Sequence, residues 1–190
     1  MAQTSQLGQT SQSARIVVIG YGNMGRALVR GLRRAGEHSL IVCKHNPLDP
    51  LDDDNGKEGD ETNPVRIFHS GNSEELARME PLGAADTIIL CMKPQNLADA
   101  VRTWKPLLLR KDAHSGDKPL VISILAGTPT RLIHEIFADD APVIRAMPNI
   151  AATVDCAATA LCASASTKPE FAQRAKAIFD CVGRSWIVPE

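Results

Sequence analysis

Aromatic side chains are scarce in this chain: phenylalanine, tryptophan and tyrosine together make up 4% of it. So thin a supply leaves little from which to build a base-stacking platform for single-stranded nucleic acid. An excess of charge of either sign is missing too. The 190 residues carry 21 basic and 22 acidic side chains, a net charge of −1. No field therefore draws the whole molecule to nucleic acid or to an anionic membrane. No apolar run reaches the roughly 20 residues that span a bilayer. Cysteine is present but unpatterned. Cys43, Cys91, Cys156, Cys162 and Cys181 contain no CxxC pair, and most fall inside apolar, strand-like runs. They read as reduced, buried thiols of an intracellular protein, not as disulfides or zinc ligands. The histidines at 38, 45, 69, 114 and 134 are equally scattered, and no metal site is expected.

The stretch MAQTSQLGQTSQS has neither charge nor apolar core, which predicts a disordered tail over residues 1–14. It lacks the apolar centre of a signal peptide and the arginines of a mitochondrial presequence, so a cytoplasmic location is expected.

What the chain does have is alternation. Strands are expected at 15–20, 39–43, 65–68, 87–92, 120–125, 142–147, 157–164 and 185–189, each a short β-branched or apolar run. Helical patterns fall between them, around 73–79, 95–109 and 129–138, with a later one marked by Phe171, Ala175, Ile178, Phe179 and Val182. The first helix shows one apolar face at Met24, Ala27, Leu28, Gly31, Leu32 and Ala35, with Gly36 as its stop. Residues 46–64 hold three prolines, two glycines and seven acids and read as a solvated acidic loop. The expected fold is α/β, Rossmann-like and doubly wound: a mostly parallel sheet of about eight strands with helices on both faces, over residues 15–190.

Within that frame, Gly20-Tyr21-Gly22-Asn23-Met24-Gly25 is a GxGxxG that closes a strand and opens a helix. Gly20 permits the tight turn, Gly22 a close approach to a pyrophosphate, and Gly25 close packing of helix on strand. The helix N-terminus offers free N–H groups and partial positive charge to phosphates. The end of the second strand reads Cys43-Lys44-His45-Asn46, with no acid before Asp49. An acid there would bind the ribose 2′-hydroxyl of NAD, whereas Lys44 attracts the 2′-phosphate of NADP by about 1–4 kcal/mol near a surface. NADPH is therefore the expected cofactor, with NADH possible. Lys44 carries the preference and His45 or Asn46 donate hydrogen bonds; the plain alternative is that Lys44 is a surface lysine.

Ligands lie across the carboxyl ends of the strands in such sheets. Three further loops end there. Lys93 and Pro94 follow a buried strand, Ala126 and Gly127 form a small-residue floor for a flat nicotinamide ring, and Met147, Pro148 and Asn149 make a turn that orients a carboxamide or a loop. Each is also ordinary connector chemistry taken alone.

In this order and spacing, GYGNMGRALVRGL, CMKPQN, VISILAG, VIRAMPN and FDCVGRSWIVPE resemble pyrroline-5-carboxylate reductase from about Arg15 to Glu190. The resemblance implies reduction of the cyclic imine of pyrroline-5-carboxylate to proline, by hydride transfer from NADPH or NADH. It implies nucleotide contacts on the glycine turn, on Lys44, His45 and Asn72, on Cys91, Met92, Lys93 and Pro94, and on Ile124, Leu125, Ala126 and Gly127. No catalytic acid or base stands out. Two departures appear. The family continues its Met-Pro-Asn turn with Thr-Pro, where this chain has Ile150 and Ala151. The family also has a second, helical domain that forms the homodimer and carries most substrate contacts; its absence here makes the chain a fragment or a shortened form. The rival expectations are another NADP oxidoreductase of the same architecture, such as a β-hydroxyacid dehydrogenase or a deazaflavin-dependent reductase, and a module that senses NADP(H) without catalysis.

Overall fold

The computed structural model describes residues 14–36, 38–45, 65–72, 76, 85–108, 118–138, 141–163 and 167–189. Eight strands form one sheet: β1 (Ala14–Ile19), β2 (His38–Lys44), β3 (Val65–His69), β4 (Thr87–Leu90), β5 (Leu120–Ser123), β6 (Val143–Met147), β7 (Ala157–Ala163) and β8 (Gly183–Val188). Their spatial order is β3-β2-β1-β4-β5-β6-β7-β8. The first six run parallel, β7 runs antiparallel to β6, and β8 runs parallel to β7. The expected Rossmann-like doubly wound sheet is thus what the chain adopts.

The central strands are continuous apolar runs because both faces are covered. Ile16, Val18, Ile89 and Ile122 pack on one side with α1 (Asn23–Ala35) and α4 (Pro169–Asp180). Val17, Ile19, Ile88 and Val121 pack on the other with α2 (Leu97–Leu108) and α3 (Thr130–Ile133). The last of these widens into a π turn over His134–Ala138.

Several boundaries differ from the sequence expectation. Ala14 already belongs to β1 rather than to a tail. β4 ends at Leu90 and not at residue 92. The Cys91 amide still donates to the Ile19 carbonyl at 2.7 Å, but Lys93 then caps a 3-10 turn with Pro94 in its first position. β5 ends at Ser123 because its own hydroxyl accepts the Leu125 amide at 3.3 Å, a local bond that replaces the ladder. The expected acidic loop at 46–64, residues 1–13, and all of the helix expected at 73–79 except Leu76 lie outside the described residues.

α1 buries more than its single apolar face. Val29 is also buried while Ala35 is exposed, because α1 is gripped from the side as well as from the sheet. A Cβ on Gly31 would lie 2.6 Å from Val182 Cγ1 and 2.8 Å from the Cys181 carbonyl. The Arg30 guanidinium donates to the Thr153 carbonyl, and Arg34 pairs with Asp155 at 2.5 Å. Among the described residues, no helix is long and apolar enough to cross a membrane.

Candidate functional site

Strand order reverses between β1 and β4, which opens a crevice at the carboxyl edge of the sheet. The glycine turn sits there. Gly20 has φ 101°, and a Cβ on it would lie 2.6 Å from the Met92 amide nitrogen. Its own N–H donates to the Cys43 carbonyl at 2.8 Å, which ties the turn to the end of β2. A Cβ on Gly25 would lie 2.2 Å from the Gly20 carbonyl oxygen. Above Gly22 there is open space, with nothing within 4 Å of a Cβ. Gly22 is also the N-cap of α1: no side chain caps the helix and no acid stands in its first turn. The first helical bond runs from the Arg26 amide to Gly22 at 2.9 Å. The amides before it face the open side of a 13-residue helix, the chemistry that receives an anion.

Lys44 is not the surface cation that its position at the end of β2 suggests. It is 3% exposed, because strand alternation puts it with Leu40 and Val42 on the α1 side of the sheet. Its ammonium lies 5.8 Å from the Tyr21 ring centroid. Arg26 lies 5.4 Å from the same ring and donates Nε to the Tyr21 carbonyl at 3.2 Å. Two cations thus gather on the buried tyrosine of the glycine turn.

Beside the turn lies a cavity of about 410 Å³ between the strand ends and α2, a size that suits part of a small ligand. Gly20, His45, Ser70, Gly71 and Met92 form its strand wall; Asn96, Asp99, Arg102 and Thr103 form its helix wall. His45 Nδ1 and Ser70 Oγ are 2.8 Å apart. Asp99 and Arg102 pair at 3.3 Å.

The structure brings Gly20, His45 and Met92 of the sequence-nominated residues into this cavity and leaves others beside it. Asn72 is exposed just past the Ser70–Gly71 wall, its amide bonded to His69 at 3.1 Å. Lys93 and Pro94 are exposed on the 3-10 turn. Ile124 donates to the Leu90 carbonyl at 3.1 Å, Leu125 is buried, and Ala126 and Gly127 are exposed in a turn where Gly127 has φ 67°. Met147 is exposed at the end of β6. Asn149 orients a loop: its Oδ1 accepts the Ala158 amide at 3.2 Å. Cys43 lines the cavity, Cys91 packs against the glycine turn, and neither is a nucleophile. Burial pushes both thiols up, that of Cys91 to about 12. Among the described residues no group of histidine, cysteine or acid side chains could hold a metal ion.

Sequence reading missed Ser70, Asn96, Asp99, Arg102 and Thr103. A signal was present for the last four: they recur at three- to four-residue spacing on one face of a helix that follows a strand end at the crevice.

The family described as NADP oxidoreductase coenzyme F420-dependent matches residues 15–127. A pyrroline-5-carboxylate reductase of Synechocystis sp. is 41% identical over 111 residues, 58% of this chain and 38% of its own length. One from Methanosarcina acetivorans is 32% identical over 183 residues, 94% of this chain and 60% of its own. A solved structure of a pyrroline-5-carboxylate reductase from Coxiella burnetii superposes with a TM-score of 0.68 at 27% identity, covering 94% of this chain and 60% of that one. The chain therefore spans between 38% and 60% of the length of these relatives.

Proposed function

Because the chain belongs to the family described as NADP oxidoreductase coenzyme F420-dependent, we propose that its glycine turn holds NADPH for the reduction of pyrroline-5-carboxylate to proline. The observation that carries this reading is the uncapped N-terminus of α1 at Gly22, open above and set in the crevice between β1 and β4. A dinucleotide fits these residues: the α1 amides take its pyrophosphate, and the cavity beside them takes its adenosine end. The relatives named pyrroline-5-carboxylate reductase supply the choice of substrate.

When bound, the nicotinamide supplies the hydride, and the imine is electrophilic once protonated. The protein's share is to bind, orient and exclude water. Gly20 and Gly25 fix the phosphate-binding amides. Ala126 and Gly127 offer a flat, side-chain-poor surface beside the ring. Asn149 holds the turn from Met147 in place at the substrate side through Ala158. No proton transfer is assigned to any side chain.

The test is to mix this chain with NADPH and pyrroline-5-carboxylate and to follow NADPH consumption. Substrate-dependent turnover supports the reductase. NADPH binding without turnover would reassign the chain to a nucleotide-binding module. Turnover of a reduced deazaflavin and none of the imine would place it with another reaction of the same family.

A further inference from the structure

The cavity wall contains one hydrogen bond between two side chains that nothing else in the site explains. It joins His45, just past β2, to Ser70, just past β3, at 2.8 Å from Nδ1 to Oγ. The backbone prepares it. Lys44 and His69 are register partners at the ends of the two strands, and the Ser70 amide donates to the Lys44 carbonyl at 2.9 Å. The next residue of each strand is then carried out side by side into the cavity.

A hydroxyl can donate or accept, so the bond alone permits two neutral imidazole tautomers. When Ser70 donates to Nδ1, the proton of His45 sits on Nε2, the nitrogen not engaged by Ser70. When His45 donates from Nδ1, Nε2 is left as a lone pair. Only the first arrangement offers an anion the ring's own N–H; in the second the Ser70 hydroxyl proton is the donor left over. The rest of the wall carries no net charge to oppose an anion. Asp99 is the sole acid among the described lining residues, and Arg102 bridges it at 3.3 Å. Lys44, the residue that the sequence nominates for this task, is buried under Tyr21 and is not part of the wall.

We propose that Ser70 is a positioning residue that fixes His45 in its Nε2–H tautomer, and that the pair selects a phosphate monoester on the cofactor's ribose. This rests on the reading of the site as a dinucleotide site and goes beyond it by naming what distinguishes NADPH from NADH. Ser70 acts through His45. It reads the 2′-phosphate, not the pyrophosphate, so its removal spares NADH.

The experiment measures dissociation constants of NADPH and NADH by nucleotide fluorescence for the wild type, Ser70→Ala, Ser70→Thr and His45→Ala. Long-range proton–nitrogen NMR of the free wild type and Ser70→Ala reports the His45 tautomer, assigned by the signal that His45→Ala removes. Ser70→Ala is expected to lower the NADPH-over-NADH affinity ratio about tenfold, the scale of one charge-assisted hydrogen bond. NADH affinity stays within about twofold, Ser70→Thr restores the ratio because it keeps the hydroxyl, and the NMR shows Nε2–H in the wild type. An Nδ1–H tautomer in the wild type overturns the proposal. So does a ratio unmoved in both Ser70→Ala and His45→Ala, or an equal loss of both nucleotides, which would make Ser70 a prop of the fold. A wild type that binds neither nucleotide defeats the functional reading itself, and this inference with it.

Discussion

The side-chain oxygen of Asn149 holds the backbone amide of Ala158 at 3.2 Å, closing the nine-residue excursion between β6 and the antiparallel β7. Removing that acceptor frees an amide at the start of β7 and loosens the turn that starts at Met147. Asn149→Ala is expected to cost about 1 kcal/mol, or about 2–4 °C in Tm for a chain of this size. NADPH affinity should stay near its wild-type value while any imine turnover falls. Thermal melts with nucleotide titration check both.

Gly25→Ala attacks the cofactor end of the same edge. The new methyl would meet the Gly20 carbonyl oxygen, which is backbone and cannot swing aside. The helix must shift outward, at about 1–3 kcal/mol, and the amides at Gly22 shift with it. Loss of NADPH binding with retained circular dichroism is the expected result. Gly22→Ala meets open space, so its fold should hold while any loss of affinity reports directly on the bound phosphate.

Two buried thiols make stability fall on the alkaline side. Burial raises the Cys91 thiol to about 12 and pushes the Cys43 thiol up as well, whereas an unfolded thiol titrates near about 8.5. Below that value both states hold their protons and the contribution is complete. As pH rises toward the folded value the unfolded state alone loses protons, and stability drains away. Urea midpoints between pH 7 and pH 10 should fall, and fall less steeply in Cys43→Ala combined with Cys91→Ala. Alkylation at neutral pH should label the exposed Cys156 and spare Cys43 and Cys91 until the chain is unfolded.

Asp180 governs the acid side. Burial nudges its carboxyl up, but hydrogen bonds from Lys176 and Ser185 outweigh that and hold it below the usual carboxylate range. Its Oδ1 accepts the Ser185 amide at 2.8 Å and the Ser185 hydroxyl at 2.7 Å, tying the end of α4 to β8. This contribution is present above the unfolded value of about 3.9 and is lost as pH falls through the lower folded value. Asp180→Asn should weaken the protein at pH 7 and flatten the acid limb of its unfolding curve.

Thr159 on β7 is fully buried, and its hydroxyl has no hydrogen-bond partner among the described residues. Thr159→Val keeps the shape and removes the stranded polar atom, so a gain of about 1 kcal/mol is expected. A higher urea midpoint at unchanged slope checks it.

The sheet was legible because its strands are short apolar runs separated by breakers. The ends of β4 and β5 were not, since Cys91-Met92 and Ile124-Leu125 remain apolar after leaving the ladder; a proline and a serine hydroxyl, not a change of polarity, end those strands. Lys44 misled for a related reason. Its identity says surface, but its parity along β2 says core, and parity prevailed once Tyr21 was there to receive the ammonium. Ser70 could not be found at all from sequence. Its partner His45 lies 25 residues away, across a segment whose length says nothing about which side chains the two strand ends bring together.

α1 touches backbone at two glycines on its length. Gly25 bears on Gly20, and Gly31 bears on the Val182–Cys181 corner. Six residues separate them, about 9 Å along the axis. A rod pinned at two points keeps its pitch as well as its place. The amides at its tip are therefore aimed before any nucleotide arrives, and the entropy of aiming them is already spent in folding. Nucleotide capture by this chain should proceed at the pace of diffusion and docking, with no slower rearrangement of the helix behind it.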